Sequence, residues 1–294
     1  MILSPAAAHL ACLGLVGADL AARTVRLRAL AAGLRHPVTG RESLAVNLLA
    51  DAGSALTPLR LGGEPARLLG LLRAGVPAIA AFSLMGIEVL ITWPLTLLAG
   101  LGLAAGFAPA WLELALPGFA RELGRLALPL AIVTALSVIA ALVGWRWLQA
   151  AGHRPRRSIR RFRVYWRRMP RGAMLAAVPL TLVNVATRTA LLPVLALATP
   201  DAPPAGVVLV GSFALVYGQL FLPTPAGVGA VELGFLAGAA GEFGAREAAL
   251  LGWWRFYSVG LTALLGSAVG LRWFGWGPLR RVYRVLAGRA REAA

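Results

Sequence analysis

Long apolar runs separated by arginine-rich segments dominate the pattern of this sequence. An α-helix needs about 20 apolar residues to cross the hydrocarbon core of a bilayer, and five of these runs reach that length. We therefore predict an all-α, polytopic membrane bundle that folds as one transmembrane domain over residues 1–294. The five predicted spans are residues 2–22, 75–103, 124–148, 172–198 and 247–271.

Two further apolar stretches are broken by proline and glycine, and both close on a glutamate. The first runs from residue 43 through a turn to Glu64, and the second occupies residues 222–232. Lipid cannot satisfy an irregular backbone, so at membrane depth each segment must face protein or a polar cavity, as a re-entrant helical hairpin does. The alternative for the second segment is a surface loop, because proline and glycine also punctuate loops. The breaker residues are Thr57, Pro58, Gly62 and Gly63 in the first segment and Thr224, Pro225, Gly227 and Gly229 in the second.

Arginine positions orient the chain, because the cytoplasmic loops of membrane proteins carry the excess of basic residues. Arginines follow the first span from Arg23 onward, and they flank residues 43–59 on both sides. We therefore predict an external N-terminus, a first breaker segment that enters from the cytoplasm and returns to it, and a cytoplasmic C-terminus, in the cell (inner) membrane. The Arg-rich segment 151–171 is also predicted to be cytoplasmic, either as an amphipathic surface helix or as a solvated loop.

The two breaker segments share a Thr-Pro pair, a later glycine and the closing glutamate. Thirty positions separate Pro58 from Glu88, and thirty also separate Pro225 from Arg255. Because the first segment is predicted to enter from the cytoplasm and the second from outside, the pattern is that of an inverted-topology repeat. The predicted halves are residues 1–150 and 172–294, joined by residues 151–171.

Charges inside the apolar runs indicate a candidate site. Glu88 and Arg188 would each cost about 2.5–3.5 kcal/mol at the centre of a lipid-exposed helix, so we expect both to face the protein interior. The repeat places Arg255 opposite Glu88, and this pair either takes part in translocation or only locks helices together. Glycines at four-residue spacing favour close helix packing, at positions 102 and 106, 234 and 238, and 266 and 270. The candidate substrate-binding or translocation residues are Glu88, Arg188, Arg255, Glu232, Glu64 and Arg60.

The amino-acid composition favours a membrane protein and argues against several classes of function. The chain is 59% hydrophobic and only 14% charged, which is typical of a membrane protein. Its net charge of +17 comes from arginines clustered between apolar runs, so we expect anionic lipid as the partner and no nucleic acid. A single cysteine and three histidines predict neither a disulfide nor a metal site. No phosphate-binding loop or nucleophile elbow occurs, so we expect no catalytic residues, no cofactor and no enzymatic activity.

Residues 224–229, Thr-Pro-Ala-Gly-Val-Gly, together with Glu232 resemble the Thr-Pro-Gly-Gly-Leu-Gly…Glu signature of the flippase-like membrane domain family. This family is best known as the membrane half of lysylphosphatidylglycerol synthases. Residues 58–64 are similar to its early Pro-x-Arg-x-Gly-Glu segment, with one residue extra. Glu88 and Arg255 lie where the family usually has an acid and an arginine. Ala226 and Val89 depart from the usual glycine and arginine, and the similarity extends over nearly the whole chain.

The resemblance implies a lipid translocator that moves a phospholipid or a lipid-linked anion between leaflets. Aminoacyl transfer is not expected, because this sequence includes no soluble transferase part. Two alternatives stay open: an intramembrane lipid-dependent transferase, and a non-transporting scaffold for a lipid or glycan biosynthesis partner. The expected partners are membrane lipids that carry a phosphate, and a homodimer is compatible with the sequence.

Cysteine labelling tests the predicted topology. After removal of Cys12, single cysteines near Arg35 and Arg67 should react from the same, cytoplasmic side, because the first breaker segment is predicted to return there. Single cysteines near Ala108 and Ala202 should react from outside. Labelling of the positions near Arg35 and Arg67 from opposite sides would contradict the re-entrant segment and the inverted repeat.

Overall fold

The computed structural model describes residues 3–57, 60–107, 162, 164–167, 169–199, 205–218 and 245–275. Secondary structure in these residues is entirely helical. Three helices are long and apolar enough to cross a membrane, namely α1, α4 and α5, and they coincide with three of the predicted spans. The helices are α1 (Pro5–Gly33), α2 (Gly40–Leu56), α3 (Gly63–Arg73), α4 (Ala78–Phe107), α5 (Arg171–Ala196), α6 (Ala205–Gly218), α7 (Ala245–Arg255) and α8 (Leu261–Phe274).

The last predicted span, residues 247–271, corresponds to α7 and α8, which are joined by one π-helical turn, Phe256–Gly260. Three predictions lie outside the described residues: the span 124–148, the second breaker segment and, with it, the inverted repeat. Only part of the Arg-rich segment 151–171 is described. There, residues 162 and 164–167 are helical, Phe162 stacks on Trp166 and both rings are exposed.

Helix α1 continues well beyond the predicted end of the first span. It begins after Ser4, whose hydroxyl accepts a hydrogen bond from the Ala7 N–H, and it ends at Gly33 rather than near residue 22. Arg23 and Arg26 are therefore buried residues of the helix and not part of a loop. The prediction was wrong here because positive charge was taken to mark the membrane surface, whereas these arginines have partners inside the bundle.

Helices α1 and α5 pack antiparallel along their whole length. At one end the Leu3 N–H donates to the Leu197 carbonyl, at 2.9 Å. Cys12 lies next to Leu191 in the first half of α1. At the other end Gly33 approaches Met169 so closely that a Cβ there would lie 2.9 Å from the sulfur. The two helices run in opposite directions, as the predicted topology requires.

Helices α2 and α3 form an antiparallel hairpin. Thr39 and Glu42 build a capping box at its start, and the hydrogen bonds from the backbone and hydroxyl of Thr39 lower the pKa of Glu42. At its turn the Thr57 hydroxyl donates to the Gly53 carbonyl and accepts from the Gly62 N–H. Gly53 and Gly62 touch so closely that a Cβ on either one would lie about 2.5 Å from the other's carbonyl oxygen.

This hairpin has the shape that the first breaker segment predicts, since the chain returns toward its starting side. Its re-entrant position in a bilayer stays a prediction. Helix α8 packs on the outer side of α2, where Gly266 meets Leu48. The predicted contact of Gly266 and Gly270 with another helix is thus confirmed. No described residue lies within 4 Å of a Cβ placed at Gly102 or Gly106, and Gly234 and Gly238 lie outside the described residues.

Gly266→Leu should destabilise the bundle. A Cβ at this position would lie 1.9 Å from the Leu48 carbonyl oxygen, which belongs to rigid helix backbone. Overpacking of this kind typically costs about 1–3 kcal/mol, so the melting temperature of the purified protein should fall. Gly14→Leu on α1 is the control, because its Cβ meets nothing within 4 Å. Equal melting temperatures for the two variants would contradict the close contact between α8 and α2.

Candidate functional site

One face of α1 carries three buried charged residues, Asp19, Arg23 and Arg26. They are spaced by four and three residues, which places them on one side of a helix. Cys12, Val16 and Leu30 continue the same face toward the two ends. The charges therefore occupy the middle of the surface that α1 turns toward the rest of the bundle.

The first set of ion pairs joins α1 to α2 and α5; we call it the Asp51 network, and its members are Asp19, Arg23, Asp51 and Arg188. Arg23 donates from both terminal nitrogens to the two carboxylate oxygens of Asp51, at 3.0 and 2.8 Å. It also lies 2.9 Å from Asp19. Arg188 approaches Asp19 at 3.3 Å and Asp51 at 3.7 Å, and Asn184 donates to Asp19. Two arginines thus share two carboxylates from different helices.

The second set joins α1 to α3 and α4; we call it the Glu88 network, and its members are Arg26, Arg67 and Glu88. Arg26 donates to one oxygen of Glu88 from Nε and Nη2, at 3.0 and 2.6 Å, and Arg67 donates to the other oxygen. The remaining terminal nitrogen of Arg26 donates to the Thr181 hydroxyl at 2.9 Å. Arg26 and Glu88 are only 4% and 3% exposed, so this pair is held away from solvent.

A cavity of about 740 Å³ opens beside both networks. Most of its polar lining residues come from α1, α2, α3, α5 and the turn between α2 and α3, and we call this set the polar wall. Most of its apolar lining residues come from α4 and α6, and we call this set the apolar wall. The polar wall includes five arginines, Arg23, Arg26, Arg60, Arg67 and Arg188. The apolar wall includes Phe82, Met85, Val89, Trp93 and Val216.

Several polar atoms at this cavity are buried and have no hydrogen-bond partner. Among the described residues they are the Nε atoms of Arg23 and Arg67, the side-chain nitrogen of Asn47 and the hydroxyl oxygens of Thr92, Thr96 and Tyr217. Buried polar groups are nearly always hydrogen-bonded in proteins, so such a cluster sets this cavity apart from an ordinary apolar packing gap. Three of these six groups are N–H donors and the other three are hydroxyls that can also donate, which fits surroundings rich in oxygen acceptors.

The structure brings most of the described candidate residues to this cavity. Glu88 and Arg188 face the interior, as expected, and Arg60, Gly63 and Glu64 line the cavity. Thr57 and Gly62 form the hairpin turn. Pro58, Thr224, Pro225, Gly227, Gly229 and Glu232 lie outside the described residues. The role of each candidate in translocation stays a prediction.

The predicted pairing of Glu88 with Arg255 is wrong. Both oxygens of Glu88 bind Arg26 and Arg67. The guanidinium of Arg255 lies 5.1 Å from the centre of the Trp254 ring, at the end of α7. Glu88 and Arg255 are equally far along the chain from their Thr-Pro pairs, but this spacing does not determine which helices pack against each other.

Sequence reasoning missed six residues of the site. They are Asp19, Arg23, Arg26, Asp51, Arg67 and Asn184. The signal for three of them was present, because Asp19, Arg23 and Arg26 continue the apolar stripe of Cys12 and Val16 at helical spacing. Within the described residues no group of histidine, cysteine, aspartate and glutamate has the arrangement of a metal site.

Glu88→Gln should destabilise the protein, because it leaves Arg26 and Arg67 facing each other without a counter-charge. Removing one partner of a buried pair typically costs about 3–5 kcal/mol. Adding Arg67→Gln to this variant should recover part of the lost melting temperature, since one uncompensated arginine is removed. Glu64→Gln is the control, because Glu64 also lines the cavity but is exposed. An unchanged melting temperature in Glu88→Gln would contradict the Glu88 network.

Comparisons with known proteins identify a family relationship for this chain. No curated protein and no solved structure matches the chain significantly. Residues 2–276 match the family model described as the lysylphosphatidylglycerol synthase TM region, which covers nearly the whole chain and includes every described helix. The chain therefore belongs to the family of the lysylphosphatidylglycerol synthase transmembrane region.

Proposed function

We propose that this chain binds the anionic headgroup of a membrane lipid in the arginine-lined cavity and moves that lipid between the two leaflets. Membership of the family indicates a function related to membrane lipids. The observation that carries the proposal is the two-sided cavity, with arginines on one wall and exposed apolar side chains on the other.

The polar wall suits a phosphate. A guanidinium binds phosphate oxygens through two parallel N–H bonds, and it stays charged when it is buried. The buried donors of Arg23, Arg67 and Asn47 belong to side chains that line the same cavity and have no partner among the described residues. A headgroup phosphate would supply the acceptors that these groups lack.

The apolar wall suits the chains of a lipid. Phe82 and Trp93 on α4 are 54% and 41% exposed, although both are large apolar side chains. The volume of the cavity is within the range of small-molecule pockets, so it fits a headgroup rather than a whole lipid. In our proposal the headgroup enters the polar side while the acyl or isoprenoid chains stay along α4 in the bilayer.

The depth of the site also supports transport. Helix α1 is 29 residues long and spans about 42 Å, and Asp19 lies at its centre. Arg188 and Asp51 meet Asp19 at this level. Binding sites of many transporters lie near the bilayer midplane at the interface of two repeats, where both sides of the membrane have access in turn. We propose that the α2–α3 hairpin is re-entrant and that the second breaker segment completes the inverted repeat from the other side.

The proposal keeps the predicted orientation, with the N-terminus outside, the C-terminus in the cytoplasm and the chain in the cell membrane. The polar cavity favours transport over a purely structural scaffold, since a scaffold needs no polar interior. The cavity is equally compatible with a lipid-dependent transferase. A chemically altered lipid after incubation with vesicles would indicate the transferase, whereas an unaltered lipid in the other leaflet would indicate transport.

A larger side chain in the cavity should slow leaflet exchange without unfolding the protein. Gly86 on α4 lines the cavity, and a Cβ there meets nothing within 4 Å. Gly86→Leu should therefore slow the exchange of fluorescent anionic lipid in reconstituted vesicles at least tenfold, a barrier increase of about 1.4 kcal/mol. Gly102→Leu is the matched control, because Gly102 lies on the same helix, its Cβ would meet no described residue within 4 Å, and it is absent from the described lining of the cavity.

Two results would contradict the proposed function. One is equal exchange by the wild type, Gly86→Leu and Gly102→Leu. The other is a wild-type protein that exchanges none of a panel of anionic and isoprenoid lipids, with or without a pH gradient. Melting temperatures of the same preparations show that each variant is folded.

A further inference from the structure

The five described arginines of the cavity differ in whether they have a carboxylate partner. Four of them, Arg23, Arg26, Arg67 and Arg188, lie within 4 Å of a carboxylate. Arg60 has no carboxylate at that distance and no side-chain hydrogen bond among the described residues. Its charge interacts over longer distances with Arg188, Asp51, Arg23 and Arg255.

Arg60 sits in the turn of the α2–α3 hairpin and is held there by its backbone. Its N–H donates to the Thr57 carbonyl at 3.2 Å, and its carbonyl accepts from the Gly63 N–H at 3.1 Å. Its φ is 58°, in the left-handed region that glycine and asparagine adopt more readily than arginine. The turn therefore does not need the arginine side chain, which is directed to the cavity and is half-buried there.

The charges around the cavity nearly cancel. The described groups are five arginines and four carboxylates, and the carboxylates are Asp19, Asp51, Glu64 and Glu88. Among these nine described groups, one positive charge is in excess. A ligand with one negative charge would balance it, whereas a ligand with two would bring an uncompensated charge into a site with a low dielectric constant.

We infer that Arg60 is the principal headgroup-binding residue, assisted by Arg23, Asn47 and Arg67, which line the same cavity, and that its ligand is a phosphodiester with a single negative charge. The ligand class rests on the proposed function, because it takes the phosphate to be part of a lipid. Binding is measured separately from transport, so the two proposals are tested independently.

The test compares two arginines that share one backbone conformation. Arg35 is the only other non-glycine residue with positive φ in the described chain, at 62°, and it is exposed in the turn after α1, away from the cavity. Arg60→Asn and Arg35→Asn each remove one arginine from a left-handed turn that asparagine tolerates. Both variants should keep the wild-type melting temperature.

Binding is measured with dioctanoyl phosphatidylglycerol as the probe and the purified full chain in a neutral detergent. Arg60→Asn should bind this lipid at least about tenfold more weakly than the wild type, because a charge-assisted, two-pronged contact is lost. Arg35→Asn should bind as the wild type does, and Arg60→Lys should show an intermediate affinity. Wild-type affinity in a folded Arg60→Asn variant, or an equal loss in Arg35→Asn, would overturn the inference.

Three further ligands test the charge and the source of the phosphate. Dioctanoyl phosphatidic acid, which carries a second ionisable proton, should bind no more tightly than phosphatidylglycerol. Inorganic phosphate and dioctanoyl phosphatidylcholine should compete weakly, because the first lacks the lipid chains and the second has no net charge. Phosphatidic acid that binds tenfold more tightly would overturn the single-charge assignment, and phosphate that displaces the lipid at equal concentration would identify a free anion as the ligand and overturn the lipid source.

Leaflet exchange then separates this inference from the proposed function. If lipid binding depends on Arg60 but the wild-type protein does not exchange lipid, the inferred binding site stands and the proposed transport is contradicted. Exchange that continues at the wild-type rate in Arg60→Asn would leave transport intact and overturn the role of Arg60.

Discussion

Each charged side chain of the Asp51 and Glu88 networks has a counter-charge from another helix. A buried charge costs several kcal/mol unless it is paired and hydrogen-bonded. Helix α1 brings two arginines to the interior but only one acid, Asp19, so α2 and α4 must supply Asp51 and Glu88. The position of the hairpin and of α4 against α1 is therefore fixed by charge compensation as well as by apolar packing.

The charged level separates two apolar clusters. One contains Leu27, Leu30, Leu71 and Leu84, and the other contains Val16, Leu191, Leu215 and Trp254. Both networks and the cavity lie between them along α1. Apolar packing thus holds the two ends of the described bundle, and the polar groups between them are positioned by helices that are anchored on both sides. Such an arrangement keeps a cavity open at mid-depth without loss of the surrounding packing.

The sequence predicted the kind of fold and part of the site, and the reasons for the difference are physical. Long apolar runs identify α1, α4 and α5 because hydrophobic length is a property of the local sequence. The Thr-Pro and Gly-Gly pattern likewise predicted the turn of the α2–α3 hairpin, and isolated charges predicted that Glu88 and Arg188 face inward. The partners of Glu88 were missed because pairing depends on which helix faces are in contact. Arg26 was missed because a charge near the end of an apolar run has the same local pattern whether it faces water or a buried acid.

The charges of α1 have a consequence for the way this chain enters a membrane. Asp19, Arg23 and Arg26 lie in a helix that is synthesised before α4, since Glu88 follows Arg26 by 62 residues. Each unpaired charge at the centre of a lone helix costs about 2.5–3.5 kcal/mol. Asp19 compensates Arg23 within the same helix, but Arg26 has no acid on α1 among its partners. Until α4 has been synthesised, α1 therefore carries a charge on Arg26 that only a later helix compensates in the folded bundle.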